Sequence, residues 1–221
     1  MIVRASYGEH TDKKFEYFAN KCEELKIPYG VYCYDYALDD SQARAEAEYV
    51  YNLIKDRNVQ LGVWFDMEDA DNYKKKAGVL TKERCSFSCK VFCDYMSAKG
   101  YYTGVYTSTS WLGTFVETTY PIWIANWGTN DGNIQSDQSS VGVIHQYAAN
   151  PIDKDIIFHD IDFYNSNPKK DEPNTDSKDD SKDDSKDDSK DDSGNKINVT
   201  GINKLIELLL KIFEKIANLF K

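Results

Sequence analysis

The residues best suited to chemistry are two acids at the end of an apolar run, segment 61–69, whose sequence is LGVWFDMED. Asp66 and Glu68 are two positions apart, so on a strand they share one face with their backbones roughly 7 Å apart. Two carboxyl groups this close ionise unequally, and the raised pKa of one is the usual source of a general acid near neutral pH. Spacing alone leaves open a solvated strand end or a metal-binding loop. On the same count, the apolar residues that face the other way are Val63, Phe65 and Met67.

The surrounding pattern indicates a sheet that could hold such a pair. Strand-like and helix-like segments alternate through the first half of the chain, which favours a parallel sheet of βαβ units. Predicted helices cover 11–26, a segment from a cap at Ser41 through Ile54, and a segment from a cap at Thr81 to about Ala98, closed by Gly100. Active sites gather at the carboxyl ends of such strands, as in a barrel. The predicted strands are 1–8, 29–37, 61–69, 101–108, 121–127, 141–148 and 156–164.

Composition argues against several classes of function. The net charge of −10 is unsuited to nucleic acid, which requires a basic surface. No run of 18 apolar residues is present to span a membrane. Segment 1–8 lacks the apolar centre of a signal peptide, so the chain as written offers no secretory address. Sixteen Tyr and four Trp exceed the needs of a core, and such aromatics often line sites for sugars or bases.

The five cysteines have no spacing typical of a disulfide framework. Three of them are four residues apart and would share one helix face. A metal or redox cluster is the alternative to buried small apolar residues, which we favour. The three histidines have no ligand spacing, so neither a metal nor a cofactor is predicted. The cysteines are Cys22, Cys33, Cys85, Cys89 and Cys93, and the histidines are His10, His145 and His159.

The composition changes completely after residue 167. Four copies of SKDD occupy residues 177–192, and residues 168–196 contain too little apolar surface to form a core, which predicts a disordered linker. A calcium loop is the alternative, but the repeats lack the glycine that its turn requires. Residues 200–221 repeat apolar side chains at steps of three and four, which predicts an amphipathic helix. Its partner would be a membrane surface, another copy, a second protein or the preceding domain.

Seven short segments together resemble the glycoside hydrolase family 25 lysozymes. These enzymes are muramidases that cleave the β-1,4 bond between N-acetylmuramic acid and N-acetylglucosamine in peptidoglycan. In chain order the segments are IVRASYG, the run 30–37, FDMED, GYYTGVYTS, PIWIANW, HQY and DIDFY. Each is weak alone, but their order over residues 2–165 makes the resemblance specific. It implies an α/β fold, a TIM-like barrel of eight strands and five helices with its site at the carboxyl ends of the strands.

The resemblance also implies roles for individual residues. Glu68 matches the family's general acid, Asp66 its partner carboxylate and Asp162 the acid on its last strand. The family retains anomeric configuration, and participation of the substrate's N-acetyl group has been proposed for it. Gln146 and Tyr147 match a W-Q-Y motif in which His145 stands for the Trp. The full set expected to bind substrate is Arg4, Tyr34, Tyr36, Tyr106, Trp123, Trp127, Gln146 and Tyr147.

The chain departs from the family pattern at its start. The family's first strand carries D-V-S and a further active-site Asp, whereas this chain begins at the second strand. The barrel would then keep two unpaired edges and would not close in the usual way. A start codon assigned too late, a fragment and a degenerate domain are the open explanations, of which we prefer the first. We therefore expect low lysozyme activity from the chain as written.

The predicted organisation is a catalytic domain over residues 1–167, an acidic linker over 168–196 and an amphipathic helix over 197–221. The predicted function is peptidoglycan hydrolysis by a phage endolysin or bacterial autolysin, in wall catabolism or lysis. The resemblance places it outside the cell or at the wall, or in the host cytoplasm before lysis if it is a phage protein. The alternatives are an impaired peptidoglycan-binding module and a carrier for a membrane-active or oligomerising helix.

Overall fold

The chain folds around one sheet whose strands alternate with helices. The computed structural model describes residues 1–165, so the predicted linker and C-terminal helix lie outside the described residues, and the domain boundaries stay predictions. The strands are β1 (Ile2–Tyr7), β2 (His10–Thr11), β3 (Gly30–Tyr34), β4 (Val63–Asp66), β5 (Thr103–Ser108), β6 (Ile122–Ala125), β7 (Ile144–Ala148) and β8 (Lys154–Ile157). The helices are α1 (Phe15–Leu25), α2 (Asp40–Ile54), α3 (Tyr73–Lys76), α4 (Lys82–Ala98) and α5 (Ile161–Asn165).

The strand order in the sheet is β2-β1-β3-β4-β5-β6-β7-β8. Strands β1, β3, β4, β5, β6 and β7 run parallel, while β2 and β8 pair antiparallel at the two edges. Over residues 1–165 the two edges do not pair with each other, so the sheet is an open, curled half-barrel. The prediction of an incomplete TIM-like α/β barrel is confirmed. All the parallel strands present their carboxyl ends at one rim.

Strand β4 shows how its sequence divides the core into two sides. Val63, Phe65 and Met67 are fully buried against the helices, and the Phe65 ring stacks on Phe92 of α4 with centroids 4.3 Å apart. Trp64 points to the inner side of the sheet, where it belongs to a second cluster. The predicted alternation along this strand is confirmed. Burial of each such side chain contributes roughly 1.5–3 kcal/mol, so the strand is held firmly on both faces.

The cysteines of α4 are part of the core. Cys85, Cys89 and Cys93 are free, buried thiols in the cluster between the helices and the sheet. Burial raises the pKa of Cys93 to about 12, so this thiol stays neutral. The interpretation as small apolar residues is confirmed. Among residues 1–165, no group of three metal-binding side chains is close enough together to hold an ion.

Two element boundaries differ from the sequence prediction. Helix α2 is capped by Asp39, whose side chain accepts a hydrogen bond from the Gln42 amide at 2.9 Å, and Ser41 lies inside the helix. The four-residue helix α3 was not predicted. The capping of α4 by Thr81 and the left-handed Gly100 after it, with φ of 93°, are confirmed. No helix within the described part of the chain is long and apolar enough to cross a membrane.

The prediction of a strand over 156–164 is wrong. Only its first two residues belong to β8, and the chain then turns into α5. The alternation of apolar and acidic residues also fits a helical turn, because Ile161 and Tyr164 are three positions apart and pack on the same side. Tyr164 is buried, and its hydroxyl donates to the Val143 carbonyl at 2.5 Å.

Candidate active site

A cavity of about 230 Å³ opens at the carboxyl ends of the parallel strands. It contains both acids of the β4 segment, together with aromatic rings and an amide contributed by the neighbouring strands. Two further acids come from the chain between β7 and β8 and from β8 itself. The lining residues are Ile2, Tyr32, Asp66, Glu68, Tyr106, Trp123, Trp127, Gln146, Ala149, Asp153 and Asp155.

Asp66, the last residue of β4, and Glu68, two residues after it, have different surroundings. Asp66 is 5% exposed, and its Oδ1 has no hydrogen-bond partner among the described residues. Burial raises the pKa of Asp66 well above its usual range, and the nearby Glu68 raises it further. Glu68 is half-buried, and burial raises its pKa too, while the positive charge of Lys74 opposes the shift. The pair therefore retains a proton at a pH where exposed carboxyl groups have lost theirs.

Gln146 on β7 links two aromatic side chains of the cavity. Its Oε1 accepts hydrogen bonds from the Tyr106 hydroxyl and from Trp127 Nε1, each at 2.8 Å. With two donors on that oxygen, the orientation of the amide is fixed and its NH₂ group is left to donate to a ligand. Trp127 is 39% exposed, so part of its ring is free to stack on a bound molecule.

Trp123 packs against two tyrosine rings of the cavity and forms a hydrogen bond with Asp155, an acid that was not among the predicted site residues. Its ring lies 4.7 Å from Tyr106 and 6.0 Å from Tyr32, both at steep angles. Its Nε1 donates to Asp155 Oδ1 at 2.7 Å. Desolvation raises the pKa of Asp155 to about 7.

Four other predicted site residues do not line this cavity. The Tyr34 hydroxyl accepts from the Ala70 amide at 3.2 Å, and its ring is 5.2 Å from that of Tyr36. Tyr36 lines a separate cavity of about 440 Å³. Arg4 donates from Nε to Asp12 at 2.7 Å and does not line the cavity with the acid pair. Tyr147 follows Gln146 on β7 and is also absent from that lining.

Asp162 is not brought to the cavity. It lies exposed on α5, because the segment expected to be a strand is helical there. The acids that do line the cavity from this part of the chain are Asp153 and Asp155. They are two residues apart, like Asp66 and Glu68, so the same spacing could have indicated them.

Comparisons with known proteins agree on the fold. A family model described as glycosyl hydrolases family 25 matches residues 1–156. No curated protein matches the chain. Among solved structures, the modular autolysin LytC from Streptococcus pneumoniae matches with a TM-score of 0.58 and 24% identity, over 69% of this chain and 37% of that one. The chain thus spans little more than a third of the length of that autolysin.

Two further solved structures match over most of their length. The GHIP protein of Streptococcus pneumoniae, a glycosyl hydrolase 25, has a TM-score of 0.59 and 18% identity, over 74% of this chain and 78% of that one. The catalytic domain of endolysin ply40 from bacteriophage P40 of Listeria monocytogenes has a TM-score of 0.58 and 19% identity, over 75% and 85% of the two chains. At these identities the structural matches establish the architecture.

Proposed function

Because the chain belongs to family 25 of the glycosyl hydrolases, we propose that it is a peptidoglycan hydrolase, a muramidase that cleaves the β-1,4 bond between N-acetylmuramic acid and N-acetylglucosamine. The observation that carries this proposal is the cavity at the carboxyl ends of the strands, where Asp66 and Glu68 stand among aromatic rings. Cleavage of a glycosidic bond requires a protonated acid at the leaving oxygen and negative charge near the oxocarbenium centre.

In this proposal Glu68 donates the proton to the leaving oxygen. Burial raises the pKa of Glu68, so its carboxyl keeps the proton to a higher pH than an exposed glutamate does. The more deeply buried Asp66 orients the substrate's acetamido group or, when ionised, stabilises the positive charge that develops on the sugar. A retaining reaction assisted by the acetamido group needs these two acids to take different roles, and we assign proton transfer to Glu68, the more exposed of the two.

Aromatic and amide groups would hold the sugar. Trp127 presents an exposed ring face, and Gln146 offers its NH₂ group to a sugar oxygen or an acetamido carbonyl. We propose that Asp155 takes the role expected of Asp162, because it lines the cavity from the last strand. Tyr34, Tyr36, Arg4 and Tyr147 then contact substrate only if the glycan extends beyond this cavity.

The proposed place of action is the bacterial cell wall, as an autolysin or an endolysin. The structures it resembles include a modular autolysin and the catalytic domain of a phage endolysin. Contact of residues 200–221 with a membrane surface or with another copy is part of the same proposal and rests on the sequence alone.

The test is the release of soluble muropeptides from purified cell walls, measured by mass spectrometry. This readout detects a slow enzyme as well as a fast one. Glu68→Gln keeps the shape of the side chain and removes its proton, so the release rate should fall by about 10²–10⁴-fold. A rate unchanged by Glu68→Gln, or the absence of release by the unsubstituted chain, would refute the proposal.

A matched pair of substitutions separates the two candidates for the third acid. Asp155→Asn changes a side chain of the cavity, and Asp162→Asn changes an exposed one on α5. We expect the first to lower muropeptide release at least about tenfold, because it removes a titratable group at the site. Asp162→Asn should leave muropeptide release unchanged. A loss of release in Asp162→Asn but not in Asp155→Asn would assign the role of the third acid to Asp162.

A further inference from the structure

Lys74 is a buried cation behind the acid pair that the proposed chemistry does not use. It is 2% exposed on α3, whereas Lys75 and Lys76 on the same helix are exposed. Burial of an ammonium group is costly unless the group is paired and hydrogen-bonded. The contacts of Lys74 therefore indicate what the group does in the fold.

The Lys74 ammonium bridges the ends of two neighbouring strands. Its Nζ donates to the backbone carbonyl of Asp35 at 2.5 Å and to the backbone carbonyl of Glu68 at 3.2 Å. It also lies 3.4 Å from Asp35 Oδ2, in a pair that is almost entirely buried. One of its three contacts is thus made to the backbone of the proposed general acid itself.

Asp69 fixes the same loop from the opposite direction. Its Oδ1 accepts from the Lys74 amide at 2.8 Å, and its Oδ2 accepts from the Lys75 amide at 3.0 Å. The side chain of Lys74 reaches back to residue 68 while the side chain of Asp69 reaches forward to residues 74 and 75. These hydrogen bonds in both directions tie residues 68 and 69 to residues 74 and 75, and so they hold the backbone of Glu68 in place.

We infer that Lys74 is a positioning residue, which holds the Glu68 backbone in place and sets a fixed positive charge behind the acid pair. This inference rests on the proposed function, because the position of Glu68 matters for catalysis only if Glu68 is the general acid. Within residues 1–165, the hydrogen bonds and the ion pair of the Lys74 ammonium reach the Glu68 backbone and Asp35 but no cavity-lining side chain. Lys74 therefore acts on the acid pair through the Glu68 backbone and through its charge, which opposes the raised pKa of both Asp66 and Glu68.

The electrostatic surroundings agree with this role. Burial raises the pKa of Glu68, Lys74 opposes that rise, and Asp153 and Asp71 add to it. Removal of the Lys74 charge should therefore raise the Glu68 pKa further. The Tyr34 ring centroid is 6.0 Å from Lys74 Nζ. The other titratable groups that face Lys74 from the elements around it are Asp35 after β3, Glu46 on α2, Asp66 at the end of β4, Glu68, Asp69 and Asp71 after β4, and Cys85 and Cys89 on α4.

The experiment compares Lys74→Met with Lys75→Met, which removes the same charge from an exposed position on the same helix. Carbon-13 NMR of the Glu68 carboxyl should show its pKa rising by at least about 0.5 unit in Lys74→Met. The high-pH limb of muropeptide release should move upward by a similar amount, since the acid must be protonated to act. The maximal rate should fall at least about tenfold through misplacement of Glu68. Lys75→Met should leave all three quantities unchanged.

A second variant guards against loss of the fold. Asp35→Asn combined with Lys74→Met removes the ion pair as a unit, so no buried charge is left unpaired. The charge of Lys74 lowers the Glu68 pKa, whereas Asp35 is not among the groups that shift it. The Glu68 pKa should therefore rise in the double variant as it does in Lys74→Met. A folded variant in which Glu68 titrates as before would overturn the inference, and so would unfolding of both variants, which would assign Lys74 to stability alone. The titration needs no activity, so a chain that hydrolyses no wall would refute the proposed function without deciding this point.

Discussion

Glu46 on α2 is an acid that the fold keeps neutral. It is 3% exposed, and its Oε1 accepts from the Tyr36 amide at 3.1 Å. Burial, with the neighbouring Asp35 adding to it, raises the pKa of Glu46 to about 9. The folded protein therefore holds this proton more tightly than the unfolded chain does. This contribution to stability is fully present below the unfolded pKa near 4.5 and is lost progressively as pH rises toward 9.

We predict that Glu46→Gln raises the melting temperature at pH 8 by at least about 2 °C. The amide imitates the protonated carboxyl, so the variant avoids the cost of taking up a proton on folding. At pH 5 that cost is small, and the variant should melt close to the unsubstituted protein. Differential scanning calorimetry at the two pH values measures the difference.

Glu48→Gln is the control for Glu46→Gln. Glu48 is an exposed residue of the same helix, paired with Arg44 at 2.9 Å, and such surface pairs are worth little. Its substitution should leave the pH dependence of melting unchanged. Equal gains for Glu46→Gln at pH 5 and pH 8 would show that Glu46 is not protonated in the folded state.

At the scale of single residues, the sequence identified the central acid pair but not its whole surroundings. Asp66 and Glu68 could be found because two acids after an apolar run share a face by strand geometry alone. Lys74 could not be found, because three consecutive lysines look like a solvated surface and only the packing of the short helix buries one of them. The spacing of Asp153 and Asp155 offered the same local signal, but the contact that places Asp155 in the site is made by Trp123, 32 residues away in the chain.

At the scale of secondary-structure elements, regular periodicity was predictive and short segments were not. The parallel strands and the three long helices follow from apolar spacing, which is repeated enough to outweigh local ambiguity. Helix α3 has four residues and no apolar repeat, so nothing in its sequence separates it from a turn. The segment after β8 fits both a strand and one helical turn, and contact of Tyr164 with Val143 decides for the helix.

The start of α2 gives a test at this scale. Asp39 caps the helix by accepting the Gln42 amide, while Ser41 is exposed inside the first turn. We predict that Asp39→Ala lowers the free energy of unfolding by about 1 kcal/mol. Ser41→Ala should be neutral or slightly stabilising, because alanine has the higher helix propensity. Urea denaturation followed by circular dichroism measures both, and a larger loss for Ser41→Ala would place the helix start two residues later.

At the scale of the whole chain, charge is distributed unevenly. The molecule carries a net charge of −10, and the linker repeats contribute two aspartates for every lysine. Residues 200–221 reverse this balance with four lysines and two glutamates on a segment of strong apolar periodicity. We expect residues 200–221 to form a basic amphipathic helix, which an anionic lipid surface would attract.

We therefore predict that the full chain cosediments with anionic vesicles and that a chain ending at residue 196 does not. Binding should weaken as salt is raised from 50 to 500 mM, since electrostatic attraction supplies part of the affinity. At the higher salt concentration the Debye length is only a few Å, so the attraction between the lysines and the lipid surface is screened. Lys211→Gln with Lys215→Gln should reduce binding at low salt and have less effect at high salt. If the full chain and the shortened chain cosediment with the vesicles to the same extent, lipid is not the partner of the C-terminal segment. Analytical ultracentrifugation of the two chains would then decide between self-association, which makes only the full chain heavier than a monomer, and docking on another protein.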